Sequence, residues 1–415
     1  MELERFCSFF ELTAEAKHHL AADWENLTVH WQGEIPPFID KDFFKKYYPH
    51  CAIAFPLEEL LPQVKKVIQI VHNHPEAAFL AHVISYSNFE LKSTVPLGFL
   101  PDILPHFGEE YSGIFSLMIS VGSCPFIEKA YAALGLPPHY AFDTMKWIGG
   151  SLQAYGAAHN GRPGRPFQFS WIRNYISRKL FRIGRLEYLL HPCPEWLPLI
   201  YRNAAQKIAV LAPENWHFRA DGYRTAQPEK SVFTTCIAET ESTITGTPIP
   251  PDGKVDFSRT LTLDKTQWFP AVSPWDLCPS LHIPGGSRLS FEEVQRSLQE
   301  AVIFFDTYFQ RHVPLFGCCS WLLNPAWEEY LPDSNIARFR REFYAVPGPD
   351  WGSRAGMTFI FGRSDTDPDL LPCENAVQKA FLQAWQKDQT GIGTIFVLRQ
   401  DIPQLGNEFY RKLYS

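Results

Sequence analysis

The sequence predicts an α+β protein, with a helical first third followed by a mixed, mostly antiparallel sheet with flanking helices. Three observations carry this. Residues 57–72 set apolar side chains at helical spacing, at Leu60, Leu61, Val64, Val67, Ile68 and Val71. Residues 232–249 hold two runs rich in Thr and β-branched apolar residues, which suit a pleated, half-buried surface. Between 281 and 305 a short strand, a Pro284-Gly285-Gly286-Ser287 loop and an amphipathic helix follow one another. A chain of 415 residues has room for two domains at roughly 100–200 residues each. We expect a helical N-terminal domain over 1–135 and a sheet-bearing domain over 136–415.

Taken in order, Thr13 caps a short helix reaching residue 24. The helix over 57–72 follows Pro56, with Pro62 a second candidate start, and Pro75 opens the next one through Phe79, Val83 and Ile84. Pro101 opens a segment whose stretch 111–121 is strongly apolar. A helix over 125–134 stops at Gly135 before Pro137-Pro138, and another over 142–157 stops in Asn160-Gly161-Arg162-Pro163-Gly164. Strands are expected over 181–190, 207–211, 231–239, 241–247 and 259–263, with a turn at Pro250-Pro251-Asp252-Gly253. Ser290 and Glu293 form a capping box for the helix that carries Phe291, Val294, Leu298, Ala301, Val302 and Phe305 inward. The remainder reads as a strand over 315–323, a short helix over 325–330 and a helix from the Asp333-Ser334 cap to 343. A strand over 357–362, a helix over 374–386 and a last strand over 394–398 complete it.

Composition excludes several classes. A formal net charge of −7 gives no bulk attraction to nucleic acid or to an anionic membrane. No run reaches the roughly 18 apolar residues that span a bilayer. The start, Met1-Glu2-Leu3-Glu4-Arg5, is acidic where a secretory peptide is basic, so a cytoplasmic protein is expected. Nine cysteines without a C-x-x-C pair read as reduced thiols, and His72-Asn73-His74 as a surface turn, so no metal is expected.

Candidate chemistry gathers at a few places. A strand, a glycine loop and a helix N-terminus together hold an anion on backbone amides. Gly285 and Gly286 would let the backbone approach a ligand, Ser287 follows them, and Arg288 reaches a phosphate. A plain strand-to-helix turn is the competing reading, because the capping box uses the same amides and Glu292 with Glu293 adds negative charge there. Residues 161–186 carry seven basic side chains and no acidic one. They read as a phosphate or single-strand patch, or as the solvated face of an amphipathic helix. His282 at a strand end suits a general base, and Glu187 is a carboxylate within a strand, costly to bury unless it is paired or used. Cys319, in Gly317-Cys318-Cys319-Ser320-Trp321, is a nucleophile only if a base lowers its pKa; otherwise it is an inert buried thiol.

Four blocks together resemble a group of bacterial acyltransferases with an N-acyltransferase N-terminal domain and a GNAT-like C-terminal domain. They are Ile183-Gly184-Arg185-Leu186-Glu187-Tyr188, Phe218-Arg219-Ala220-Asp221-Gly222, His282-Ile283-Pro284-Gly285-Gly286, and Cys319-Ser320-Trp321-Leu322-Leu323-Asn324-Pro325 leading into Leu331-Pro332-Asp333-Ser334-Asn335-Ile336. The resemblance implies an antiparallel meander and a strand that splays from its neighbour. It implies acetyl-CoA or another acyl-CoA as co-substrate, and direct attack on the thioester by a small amine acceptor. It implies coenzyme contacts at Gly285, Gly286, Ser287 and Arg288, a base among His282 and Glu187, and leaving-group contacts at Ser320 and Asn335. The loop itself departs from the usual GNAT pattern of Gln or Arg, two residues, Gly, any residue, Gly or Ala. That departure motivates a second reading, a GNAT-shaped binding module without catalysis. A third is a cysteine-dependent acyl transferase or hydrolase using Cys319 with His282.

Overall fold

A computed structural model describes residues 1–101, 103–191, 194, 197–285, 289–349, 354, 356–361 and 367–414. Gly286, Ser287 and Arg288 therefore lie outside the described residues. Contacts divide the chain into two compact units, residues 1–183 with 283–288, and residues 184–282 with 289–415. The division falls after Ile183 and not at 135/136, because the helices over 138–176 pack with those before them.

The first unit is helical: α1 Leu3–Phe9, α2 Ala14–Ala21, α3 Trp24–Val29, α4 Lys41–Tyr47, α5 Leu57–Asn73, α6 Pro75–Asn88, α7 Gly108–Gly122, α8 Cys124–Ala132, α9 Pro138–Met145, α10 Trp147–Gly150, α11 Leu152–Ala158 and α12 Ser170–Ile176, closed by strand β1 Leu180–Ile183. Thr13 caps α2 by accepting from the Ala16 amide at 3.2 Å. The face that periodicity marks on α5 is the buried one, through Leu60, Val64, Val67 and Val71, and Pro62 lies inside the helix after the Pro56 start. Helix α7 is buried almost all round from Ser112 to Gly122, which makes it the centre of this unit. The helix expected over 142–157 is three short ones, broken near Gly149-Gly150, where a Cβ at Gly149 would strike the Ala52 carbonyl.

Three of the seven basic residues after residue 160 are spent inside this unit, and Arg178 and Lys179 are exposed. Arg165 is buried over the Trp147 ring at 4.0 Å and donates to the Trp147 and Ile148 carbonyls. Arg173 donates to the Ser87 and Ser93 carbonyls at 2.6 and 2.9 Å, and Arg162 pairs with Glu109. The phosphate or nucleic-acid patch read from the sequence is therefore not a continuous basic surface.

The second unit holds strands β2 Leu186–Leu189, β3 Leu199–Asn203, β4 Ile208–Leu211, β5 His217–Phe218, β6 Phe233–Thr234, β7 Ala238–Glu239, β8 Thr243–Gly246, β9 Leu261–Asp264, β10 Trp268–Pro270, β11 Ser280–His282, β12 Leu315–Ser320, β13 Tyr344–Pro347 and β14 Gly393–Leu398. Its helices are α13 Phe291–Phe304, α14 Ala326–Tyr330, α15 Asn335–Arg341, α16 Met357–Phe361, α17 Ala376–Gln386 and α18 Phe409–Tyr414. Small antiparallel sheets form as β10-β3-β4, β7-β8-β9 and β5-β6. The main sheet runs β2-β11-β12-β14-β13, antiparallel except at β11 and β12. These two are parallel and joined through α13, a crossover that parallel strands require.

Ser290 caps α13 by accepting from the Glu293 amide at 3.2 Å, but the Glu293 carboxylate takes the Ser290 hydroxyl instead of its amide, so half of the expected box forms. A complete box sits at Asn375 and Gln378 on α17. Residues 357–361 are helix and not strand. Met357 is fully buried against Trp327, Leu371 and Phe381, and a short apolar run fits either element.

The feature that positions the site is where β11 and β12 part. Their register joins Ser280 to Gly317, with the Gly317 amide donating to the Pro279 carbonyl at 3.3 Å. Past that point, among the described residues, β11 stays with β2 through His282 opposite Glu187, while β12 stays with β14 through Cys319 opposite Thr394 and Ser320 opposite Gly393. Two parallel strands thus diverge into a wedge at their C-terminal ends.

Candidate functional site

Strand alternation decides what faces the wedge. Side chains of directly opposed residues share a sheet face. Glu187 and His282 are opposed, as are Leu189 and Ser280; Tyr188 and Leu281 lie on the other face, where the Tyr188 hydroxyl meets Ser297 of α13 at 2.8 Å. The Ser280–Gly317 register carries the first face on to Cys319, and Cys319 is opposed to Thr394. Glu187, His282, Cys319 and Thr394 therefore form one polar row across four strands, on the face away from α13, with the wedge between His282 and Cys319.

Burial tunes each member. The His282 pKa is pushed down to about 4 by burial, with His191 nearby acting in the same direction. The His191 ring is hydrogen-bonded to the Ser280 hydroxyl at 2.7 Å, and burial lowers its pKa too. Glu187 is buried at 4% exposure. Burial pushes the Cys319 thiol up to about 11, against the opposing pull of the Thr394 hydroxyl, which donates to its sulfur at 3.4 Å, and of Arg224. Cys319 is thus a neutral thiol at neutral pH.

Arg224 enters from the β5–β6 hairpin. In its turn the Arg219 amide donates to the Tyr223 carbonyl, the Gly222 amide donates to the Arg219 carbonyl, and Gly222 holds φ +84°, a conformation that glycine adopts freely. The Arg224 guanidinium lies over the Trp216 ring at 3.7 Å, and burial lowers its pKa to about 10. Beside it the Tyr223 hydroxyl donates to the Asn324 side-chain oxygen at 3.2 Å, while the Asn324 amide group donates to the Gln389 carbonyl at 2.9 Å. Tyr223 and Arg224 line a cavity of about 780 Å³ together with Lys254, Arg340, Gln389 and Ile392.

The residues read from the sequence separate into groups. His282 and Glu187 come together directly. Ser320 falls on the opposite sheet face, where its hydroxyl accepts from the Leu322 amide at 3.2 Å. Asn335 is exposed in the first turn of α15, whose cap is Ser334. Gly285 is exposed, and a Cβ there would meet the Gly150 carbonyl at an ordinary 3.6 Å. Gly286, Ser287 and Arg288 lie outside the described residues. Arg224, Thr394 and His191 were not read from the sequence. The one signal for Arg224 was its place just after the block ending at Gly222. Among the described residues no group of three or more His, Cys, Asp or Glu side chains could hold a metal, and no helix is long and apolar enough to cross a membrane.

A family profile described as a GNAT-like C-terminal domain matches residues 180–394. The fold is similar to that of an acyltransferase crystallised with decanoyl-CoA and teicoplanin, at 16% identity over 96% of this chain and 99% of that one, with a TM-score of 0.60. A second structure, an acyltransferase with CoA and 10C-teicoplanin, gives 17% identity, the same coverage and 0.60. A third, a Trp-to-Ala mutant acyltransferase with octanoyl-CoA, gives 16%, the same coverage and 0.59. At these identities the likeness is one of fold. No protein of curated function matches the sequence.

Proposed function

This chain belongs to the family with a GNAT-like C-terminal domain, and from that premise we propose that it is an acyltransferase drawing its acyl group from an acyl-CoA thioester. The observation that carries the reading is the wedge between β11 and β12, an opening in the sheet walled by His282 and Glu187 on one side and Cys319 and Thr394 on the other. An amine acceptor attacks the thioester carbonyl directly. The C–N bond forms, the carbonyl electrons move to oxygen, and on collapse the C–S bond breaks to release the coenzyme thiolate. The attacking nitrogen must lose a proton. His282, unprotonated above about pH 4, can take it from the acidic ammonium of the tetrahedral adduct, and Glu187 stands opposite it in register. The backbone of Gly285, Gly286 and Ser287, with Arg288, remains our candidate for the coenzyme phosphates.

A thiolate nucleophile is disfavoured, because Cys319 is held as a thiol and the nearby imidazole is a weak base. The finer choices follow the similar structures. Decanoyl-CoA and octanoyl-CoA appear in them, so we favour a medium-chain acyl group over acetyl. Teicoplanin appears as well, so an acceptor larger than the small amine expected from sequence fits the reading.

The test is thermal unfolding of the full chain with free CoA, acetyl-CoA, octanoyl-CoA and decanoyl-CoA. A ligand bound only by the folded state at about 100 times its Kd adds roughly 2.7 kcal/mol. A rise in Tm with the medium-chain thioesters, together with amine-dependent release of free CoA thiol, is expected. No shift with any of the four removes the acyl-CoA reading. A shift without turnover over an amine panel leaves the binding module.

A further inference from the structure

We propose that Arg224 is an anion receptor that holds a carboxylate of the acyl acceptor in the 780 Å³ cavity; the acceptor assignment rests on the acyltransferase reading, the anion site does not. Three observations argue it. First, the Arg224 Nη1 is sealed from solvent and has no hydrogen-bond partner among the described residues. An anion beside the guanidinium would offset part of the cost of desolvating this cation. Second, the carboxylates around the cavity are already used. Asp221 pairs with Arg219, Glu328 with Arg340 and Arg411, and Glu329 with Lys387, while Asp256 is exposed and accepts from the Ser258 amide and hydroxyl. No ion pair of Arg224 forms with any of them. Third, the guanidinium carbon lies 3.7 Å from the Trp216 ring centroid, a cation–π contact that restrains the group before any anion arrives.

The position suits an acceptor. Arg224 lines the cavity on one side and acts electrostatically on Cys319 of the polar row on the other. An acceptor anchored there by its acidic group would be held on the β12 side of the wedge, across from His282. A carboxylate is favoured over a phosphate because Asp256 lines this cavity with no ion pair among the described residues and would repel a dianion more strongly than a single negative charge.

The experiment uses matched probes that do not depend on knowing the acceptor. Wild type, Arg224→Gln and Arg224→Lys are titrated with phenylacetate, phenylacetamide and inorganic phosphate at constant ionic strength, with Tm as the readout. Acyl-CoA affinity is measured alongside. Wild type should prefer phenylacetate over the amide by about tenfold, the equivalent of one charge-assisted hydrogen bond. Arg224→Gln should abolish the preference and Arg224→Lys weaken it, with acyl-CoA affinity unchanged in both. Equal response to acid and amide, or a preference that survives Arg224→Gln, overturns the proposal. A response to phosphate but not to phenylacetate overturns the carboxylate assignment. Loss of acyl-CoA affinity in Arg224→Gln transfers Arg224 to the coenzyme and also overturns it. Should Arg224→Gln not fold, the Arg224→Lys comparison still decides, since an unchanged preference there sinks the idea. Wild-type acid preference without any acyl transfer would keep the anion site and reject the acyltransferase reading, so the two fail separately.

Discussion

His282 shows what burial does to a single group in this site. Its conjugate acid is destabilised in the fold, so the folded protein holds a proton less tightly, about pKa 4, than the unfolded chain at 6.5. The contribution is neutral above pH 6.5, and stability falls as the pH drops from 6.5 through 4. His282→Gln should remove this acid-side slope, on the order of 2 kcal/mol, when urea midpoints of the two proteins are compared from pH 7.5 to 4. Parallel curves would show that His282 is not depressed. By the same reasoning, the acid limb of transfer should not fall near pH 6.5. The chemical types of His282 and Glu187 were legible in the sequence, but their partnership was not. It is a cross-strand register between residues about a hundred positions apart, and no local pattern encodes it. Arg224 was harder still. Nothing beside it in sequence marks a cation as buried; the cause is Trp216, brought under it by the hairpin.

At the scale of elements, glycine sets how closely segments approach. A Cβ at Gly393, the first residue of β14, would collide with the Leu323 carbonyl in the turn after β12. That contact seats β14 against the end of β12, beside the polar row. Gly393→Ala should therefore cost about 3 kcal/mol by overpacking, whereas Gly391→Ala, with nothing within 4 Å of its new methyl, should be close to neutral. Chemical denaturation of both variants checks this, and equal midpoints would show that the turn yields. Elements with a strong local period were readable: α5 and α13 carry apolar stripes and, for α13, a capping serine. The strands β3, β10 and β13, of three to five residues each, were not read, because pairing partners far along the chain make them strands. The expected strand over 357–362 is helical over Met357–Phe361, because apolar content alone does not distinguish a five-residue helix from a strand.

At the scale of the molecule, the α+β class was legible because helical periodicity and Thr-rich runs occupy separate parts of the chain. The division into units was less so. Residues 283–288 count with the first unit although they sit between two elements of the second, and no composition shift marks such a crossing. The diverging strands have one further consequence. A sheet normally exposes unpaired amides along its outer rim; this one also has a rim in its interior. Because the Gly317 amide points to β11, alternation turns the Cys319 amide the same way, beyond the last residue of β12 in register with β11. Hydrogen–deuterium exchange should accordingly be faster at Cys319 than at Cys318, whose amide points to β14. A saturating medium-chain acyl-CoA should slow the Cys319 amide if the ligand fills the gap as a guest strand. An unchanged rate would send the thioester elsewhere, even with binding confirmed.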